Sequence, residues 1–271
     1  MRISACQMTS GLDAEQNVLR ALNLIAASAE SAAELVVLPE HFAQLHCDEF
    51  PLLSIAENFE DGPIQESIRL AAIRHQLWIC AGSIPIRSSD PSRFYNSTIV
   101  YNPKGDVAAR YDRMHLFRYR RGSDESYDES RAGVPGKHPI SFRLTTWDGL
   151  DVHIGLSLGF DLRFPELFRG YAPVDMILLP AVFTETTGRA HWSTLLSARA
   201  IENECCVVAA AQTGQHECGR RTWGHSRVVD PWGNIASELP TGEGIVIADF
   251  DETLVSSVRR MLPVLENRVL R

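Results

Sequence analysis

The 271-residue sequence predicts an α/β fold in which helices cover β-sheets. Three observations carry that reading. Short apolar runs of the kind that form buried strands alternate with longer segments of helical periodicity. Two further stretches read as strand–turn–strand hairpins. The 45% hydrophobic content is enough for one well-buried core, and no Gly/Ser/Pro-rich linker divides it.

The elements follow in order. "RISACQM" reads as a first strand, and Asn17 to Ala33 has helical spacing and strong helix formers. "ELVVLPE" is a short buried strand that stops at Pro39. Residues 61–75 predict a helix and "LWICAGSI" a strand. "NSTIVYNPKGDVAARYD" predicts two strands joined at Pro103-Lys104-Gly105. Residues 118–138 are polar and irregular and predict a long loop. "DVHIGLSL" is then a strand, "RFPELFRGYA" a short helix, "VDMILLPAVF" a strand and "AHWSTLLSARAIENE" a helix. "CCVVAAAQ" is a buried strand, and "GHSRVVDPWGNIASEL" two strands turning at Pro-Trp-Gly. "GIVIADF" is a late strand. One domain is expected over 1–271, with 251–271 as its C-terminal helix and tail.

Composition narrows the function. A net charge of -8 and a pI near 5.6 argue against a nucleic-acid partner. No run reaches eighteen apolar residues, so no membrane span is expected, and the polar start is no signal peptide. The six cysteines lack zinc-like spacing and read as reduced thiols in a cytoplasmic protein. Cys6, Cys80, Cys205 and Cys206 lie in apolar runs and are expected in the core, whereas Cys47 and Cys218 lie in polar stretches that could border a pocket. Phosphate-loop, dinucleotide and HExxH motifs are absent and the nine histidines are scattered, so neither metal nor cofactor is implied.

"PEHF", "RMHLF" and "GFDLRF" each follow a strand, so three polar strand ends are expected to converge on one rim. Glu40, directly after "LVVLP", would be partly desolvated there and suited to general-base work; the plainer reading is a carboxylate bonded to nearby amides. Arg113 sits in a run with Arg110, Arg118, Arg120 and Arg121, which is either an anion site or a solvated basic stretch. Glu129 reads as a loop carboxylate. Asp161 and Arg163 could pair with each other at a strand-to-helix turn and cap the helix that begins near Pro165. His191, Trp192, Arg199 and Glu202 share a helix and read as packing and ion pairing. His225 beside Ser226 is a weak dyad, since neighbours on a strand face opposite ways.

Taken together, "LVVLPEHF", "YDRMHLF", "YDESRAGVPG", "GLSLGFDLRFPELFR", "LPAVFTETTGRAHWSTLLSARAIENECCVVAAAQTG" and "GHSRVVDPWG" resemble the nitrilase, or carbon–nitrogen hydrolase, superfamily. They run in family order over nearly the whole chain. The last two are most similar to the branch of amidases acting on deaminated glutathione and small ω-amides. The resemblance implies a four-layer α-β-β-α sandwich, homodimers or larger assemblies, and thiol acyl transfer on a small molecule. It places the base at Glu40 and the orienting carboxylate at Glu129. The oxyanion-holding Lys falls on Arg113, and the nucleophilic Cys, directly before an aromatic–Asp pair, falls on Gly159. Phe160, Asp161, Arg163, His115 and Thr184 are expected to line or support the pocket.

Three departures matter. Glycine cannot form an acyl-enzyme, and arginine differs from lysine in reach and geometry. Arg118 also stands where the family commonly has Asp. The sequence therefore predicts a pseudoenzyme that keeps a pocket for a small amide or carboxylate ligand, and the Arg-rich stretch allows that ligand to be anionic. One alternative is a non-thiol enzyme with Glu40 as base and Arg113 as anion holder. Another is an amidase with a relocated nucleophile at Cys47, Cys218 or Ser157, the last about 6–7 Å back along the strand.

Overall fold

The computed structural model describes residues 1–121, 125–171 and 173–269. Two six-stranded sheets face each other. The first contains β1 (Arg2–Gln7), β2 (Leu35–Val37), β3 (Trp78–Arg87), β4 (Phe94–Tyr101) and β5 (Val107–Asp112). Strands β6 (Arg118–Arg121) and β7 (Glu125–Asp128) form a separate hairpin. The second sheet contains β8 (Ile140–Thr145), β9 (Asp151–Leu156), β10 (Met176–Ala181) and β11 (Cys206–Ala211). Strands β12 (Thr213–Gln215) and β13 (Arg221–Trp223) pair as a second small hairpin. The second sheet then closes with β14 (Ser226–Val229) and β15 (Ile235–Leu239), while β16 (Gly244–Asp249) returns to the first sheet. The strand orders are β16-β1-β2-β3-β4-β5 and β15-β14-β11-β10-β9-β8.

Helices α1 (Ala14–Glu30) and α2 (Pro63–His75) cover the first sheet. Helices α3 (Pro165–Arg169), α4 (Glu185–Asn203) and α5 (Glu252–Met261) lie with the second sheet. The α-β-β-α layering expected from the sequence is present. Its cause is legible in β2, where alternate residues serve two interfaces: Leu35 and Val37 face the core between the sheets, and Val36 faces the core under α1 and α2. In the same way Ile25 and Ala21 of α1 meet Ile64 and Ile68 of α2 over Ile79. Cys6, Cys80, Cys205 and Cys206 are all buried, as expected.

The structure corrects several boundaries. Helix α1 begins three residues before Asn17, because the Asp13 side chain accepts from Gln16 N and caps it. It ends at Glu30, short of Ala33, whose neighbour Ala32 turns into positive φ. The long loop expected over 118–138 instead contains β6, β7 and a 3-10 turn, Glu129–Arg131. Strands β6 and β7 are polar apart from Tyr119 and Tyr127, which face each other across the pair, so their cross-strand pairing left no local signal; residues 122–124 of that stretch lie outside the described ones. Strands β8, β12 and β13 were also not expected from the sequence; the last two are three residues each.

Candidate active site

Local structure delivers each of the three strand ends to one place. Beyond β2 the chain turns at Pro39-Glu40-His41, and His41 takes a positive φ of 54°. Gly82 of β3 makes room, since a Cβ there would lie 2.0 Å from the Pro39 carbonyl oxygen. Arg113 follows β5, with its N–H donating to Asn96 O at 3.0 Å and its carbonyl accepting from Gly136 N at 2.8 Å. Glu129 opens the 3-10 turn that Asp128 caps, and Glu129 N donates to Phe117 O at 3.0 Å. Gly159 begins a second 3-10 turn, Gly159–Arg163, just after β9, and holds φ of +47°.

These residues form one buried network. The Arg113 guanidinium donates through Nη1 to Glu40 Oε1 and through Nη2 to Glu129 Oε2. Glu40 Oε1 also accepts from Asn96 Nδ2 at 3.1 Å, and its Oε2 accepts from Val182 N at 2.8 Å. Phe117 N donates to Glu129 Oε2 at 2.6 Å. The Glu40 carbonyl is held by Gln212 Nε2 at 3.0 Å. A Cβ built on Gly159 would lie 2.2 Å from Glu40 Oε2. The Glu40 carboxylate thus fills the space where a side chain at 159 would begin.

The charges do not balance pairwise. Glu40, Glu49 and Glu129 share Arg113, and Arg220 adds a second positive charge nearby. Burial pushes the Glu40 carboxyl up to about 7; Arg113 opposes this and Glu129 adds to it. Burial, then Glu129, pushes Glu49 up to about 8. Burial works against the Arg113 charge, but Glu129, Glu40 and Glu49 outweigh it and hold the guanidinium protonated. His41 is driven well below its ordinary value by burial and by Arg113 and Arg220, so its ring is neutral. Three carboxylates around two cations keep a proton in the cluster near neutral pH.

The pocket is lined by Glu40, His41, Arg113, Phe117, Glu129, Phe160, Arg163, Val182, Phe183, Thr184, Thr187 and Arg220. As it stands it leaves about 10 Å³ for the centre of a water-sized sphere, enough for about one water. Arg220 is buried over the Tyr127 ring, and its Nε has no hydrogen-bond partner among the described residues. Ligand atoms of Glu40, His41 and Glu129 lie within 4.8 Å of one another. Arg113 already bonds both carboxylates there, so a cation at that point would face the guanidinium.

The expected residues divide into liners and supports. Phe160, Arg163 and Thr184 reach the pocket, and Thr184 also caps α4. Asp161 does not pair with Arg163, and it does not cap α3. It is fully buried and accepts from Tyr111 Oη at 2.6 Å, Leu158 N at 3.0 Å and His115 N at 3.1 Å; His115 Nδ1 lies 2.7 Å away. His115 stacks on Phe164 with ring centroids 3.7 Å apart. Arg163 instead sits over Phe183 and approaches His191 Nδ1 at 3.1 Å. On α4, Arg199 pairs with Glu202 of the same helix at 2.6 Å rather than with a charge on the next layer, where its Nε donates instead to Leu162 O at 3.0 Å.

Other expectations fail. Among the described side chains of the basic run, Arg113 lines the pocket; Arg118 is exposed and pairs with Asp128 at 3.3 Å, and Arg110 pairs with Asp112 at 2.8 Å. Ser157 is buried and its hydroxyl donates to Leu178 O at 2.9 Å. Cys47 and Cys218 do not line the pocket but meet each other. His225 lies outside β14 at a φ of 59°, and Ser226 Oγ accepts from Ala211 N. Sequence reading missed His41, Glu49, Asn96 and Arg220. Asn96 left a signal, a carboxamide inside an apolar strand; Glu49 and Arg220 lie in irregular segments and left none.

The carbon–nitrogen hydrolase family profile matches residues 2–260. The chain belongs to the carbon–nitrogen hydrolase family. A deaminated glutathione amidase of Yersinia enterocolitica is 35% identical over 269 residues, covering 98% of this chain and 92% of that protein. The crystal structure of the C. elegans NitFhit protein superposes with a TM-score of 0.88 at 35% identity, over 99% of this chain and 65% of that longer one. Saccharomyces cerevisiae Nit3, described as a member of branch 10 of the nitrilase superfamily, gives 0.86 at 26% identity, covering 100% of this chain and 97% of that one. Within this member of the carbon–nitrogen hydrolase family, Glu40, Arg113 and Glu129 meet at the pocket floor and Gly159 offers no reacting atom. No helix among the described residues is long and apolar enough to cross a membrane.

Proposed function

We propose that this protein is a pseudoenzyme of the amidase type, which binds a small amide- or carboxylate-bearing molecule without thiol acyl transfer. One observation carries the reading. Glu40 Oε2 stands where the side chain of residue 159 would start, and Glu40 Oε1 is held by Arg113 together with Glu129. Acyl transfer needs a nucleophile and a base free to take its proton; here the first is glycine and the second is locked in a salt bridge. The orphaned Nε of buried Arg220 and the half-buried Arg163 at the wall favour an anionic ligand.

The names of the relatives direct the choice of probe. Deaminated glutathione, small ω-amide acids and their carboxylic products should be titrated by calorimetry, with product followed by mass spectrometry in the same samples. Heat of binding without product is the expected result. Sustained product formation overturns the reading. A second reading, water attack with Glu40 as base, is favoured by the carboxyl raised to about 7; it requires turnover that Glu40→Gln abolishes.

The protein is further proposed to be a cytoplasmic homodimer. Trp232, Ile235, Ile201, Met261 and Leu262 are large apolar side chains left exposed, on α4, α5 and around the β14–β15 turn, which supports self-association. Light scattering reads the mass, and a monomer would refute it.

A further inference from the structure

Cys47 and Cys218 are 171 residues apart in sequence, yet their Sγ atoms lie 2.8 Å apart. Cys47 Sγ also donates to the Cys218 carbonyl at 2.8 Å. Cys47 is exposed and Cys218 half-buried, whereas the other four cysteines are buried. Each thiol sits on a segment that builds the pocket. Cys47 lies between His41 and Glu49, whose side chains approach at 3.9 Å. Cys218 lies in the β12–β13 turn, two residues before Arg220, which lines the pocket. That turn is anchored elsewhere: His216 Nδ1 lies 2.9 Å from Ser10 O, and Glu217 accepts from Leu12 N at 3.1 Å. Besides the His41–Glu49 approach and the Cys47–Cys218 contact, the 46–49 segment is held by an exposed pair of Asp48 with Arg131 at 3.7 Å.

We propose that Cys47 and Cys218 form a reversible disulfide, made by exchange with a low-molecular-weight disulfide such as oxidised glutathione, which latches the Glu49 segment to the Arg220 turn beside the pocket. The exposed Cys47 thiolate attacks one sulfur of the small disulfide, breaking its S–S bond and releasing one thiol. The Cys218 thiolate then attacks Cys47 Sγ in the mixed disulfide and expels the second thiol. The two protein thiols are oxidised, the small disulfide takes up their two electrons and two protons, and atoms balance. A disulfide S–S bond is about 2.05 Å, so the closure needed is under about 1 Å. The present pocket has room for about one water, so a ligand enters only when a wall moves, and the latch ties the turn that carries the Arg220 wall to the segment that follows the His41 wall. That consequence rests on the ligand-binding reading; the disulfide does not.

Burial, aided by Cys218, pushes the Cys47 thiol up to about 11, so exchange is slow at neutral pH and is best run at mildly alkaline pH. The folded protein is incubated with millimolar oxidised glutathione and examined by intact mass and peptide mapping. The expected product has lost two hydrogens and carries a 47–218 crosslink, which dithiothreitol reverses. Because the bond closes a long loop, it should raise Tm by at least about 5 °C. Cys47→Ser and Cys218→Ser should each abolish the crosslink. Hydrogen exchange in 46–49 and 216–220 should slow in the oxidised form. Mixed glutathione adducts alone, a crosslink between other cysteines, or no mass change would overturn the disulfide. A crosslink with unchanged exchange in both segments would overturn the latch. Calorimetry on the two forms then tests the pocket: equal affinity and rate of binding would break the link between latch and ligand, whereas no binding by either form, with the crosslink present, would count against the ligand-binding reading instead.

Discussion

Replacing Gly159 by alanine puts a Cβ into left-handed backbone and 2.2 Å from Glu40 Oε2. The expected cost is about 1–3 kcal/mol in urea unfolding, from backbone strain and a displaced ion pair; unchanged stability would show that Glu40 moves away freely. Gly159→Cys supplies a thiol, but its Cβ crowds Glu40 in the same way and Arg113 still competes for both carboxylates, so no turnover of a small ω-amide is expected from it alone. Adding Arg113→Lys replaces a two-pronged donor with a single ammonium that cannot hold both carboxylates in the same way. Turnover in the double variant and not in either single one is the expected pattern. Activity in Gly159→Cys alone would mean that Arg113 is no obstacle.

The elements around the pocket are joined by one buried carboxylate. Asp161 ties Tyr111 at the end of β5 to Leu158 after β9 and to His115 between β5 and β6. Asp161→Asn keeps the shape but leaves one acceptor oxygen for those donors. A loss of about 3 kcal/mol or more is expected. Tyr111→Phe should cost about 1.5–3 kcal/mol, since it removes one hydrogen bond to a charged group. In a double-mutant cycle the two should couple by more than about 1 kcal/mol; additive losses would mean that the hub is not shared. At this scale the sequence was partly readable. The apolar strands and the amphipathic helices carry their periodicity locally, so β1, β10, β11 and α4 were expected near where they lie. The β6–β7 and β12–β13 hairpins were not, because they are stabilised by cross-strand partners rather than by an apolar face of their own.

For the whole molecule, the raised carboxyls make stability depend on pH. Unfolded glutamates lose their protons near pH 4.3, whereas Glu40 and Glu49 in the fold titrate at about 7 and about 8. Between those limits the native state binds more protons than the unfolded chain. Their contribution is fully present below the unfolded value and is lost as pH rises through 7 to 8. Each such proton adds a downward slope of up to about 1.4 kcal/mol per pH unit. Urea midpoints should therefore fall from pH 5.5 to 8.5, and Glu49→Gln should flatten the fall. A midpoint that rises over this range would mean that the cluster is fully ionised and held by Arg113 and Arg220.

The sequence by itself determined the order of the apolar strands and the long helices, the family, and the identity of the three strand ends, because period-two and period-3.6 burial and the residues after each strand are local properties. It also determined that position 159 has no nucleophile. Only the tertiary structure decided that Arg113 turns inward while Arg118 and Arg120 are exposed, and that Glu49 and Arg220 join the same charge cluster. It alone brought Cys47 to Cys218 and put the Glu40 carboxylate into the space beside Gly159. Each of these is a contact between segments tens to hundreds of residues apart, set by how two sheets and their connecting loops pack, and no local pattern encodes such a contact.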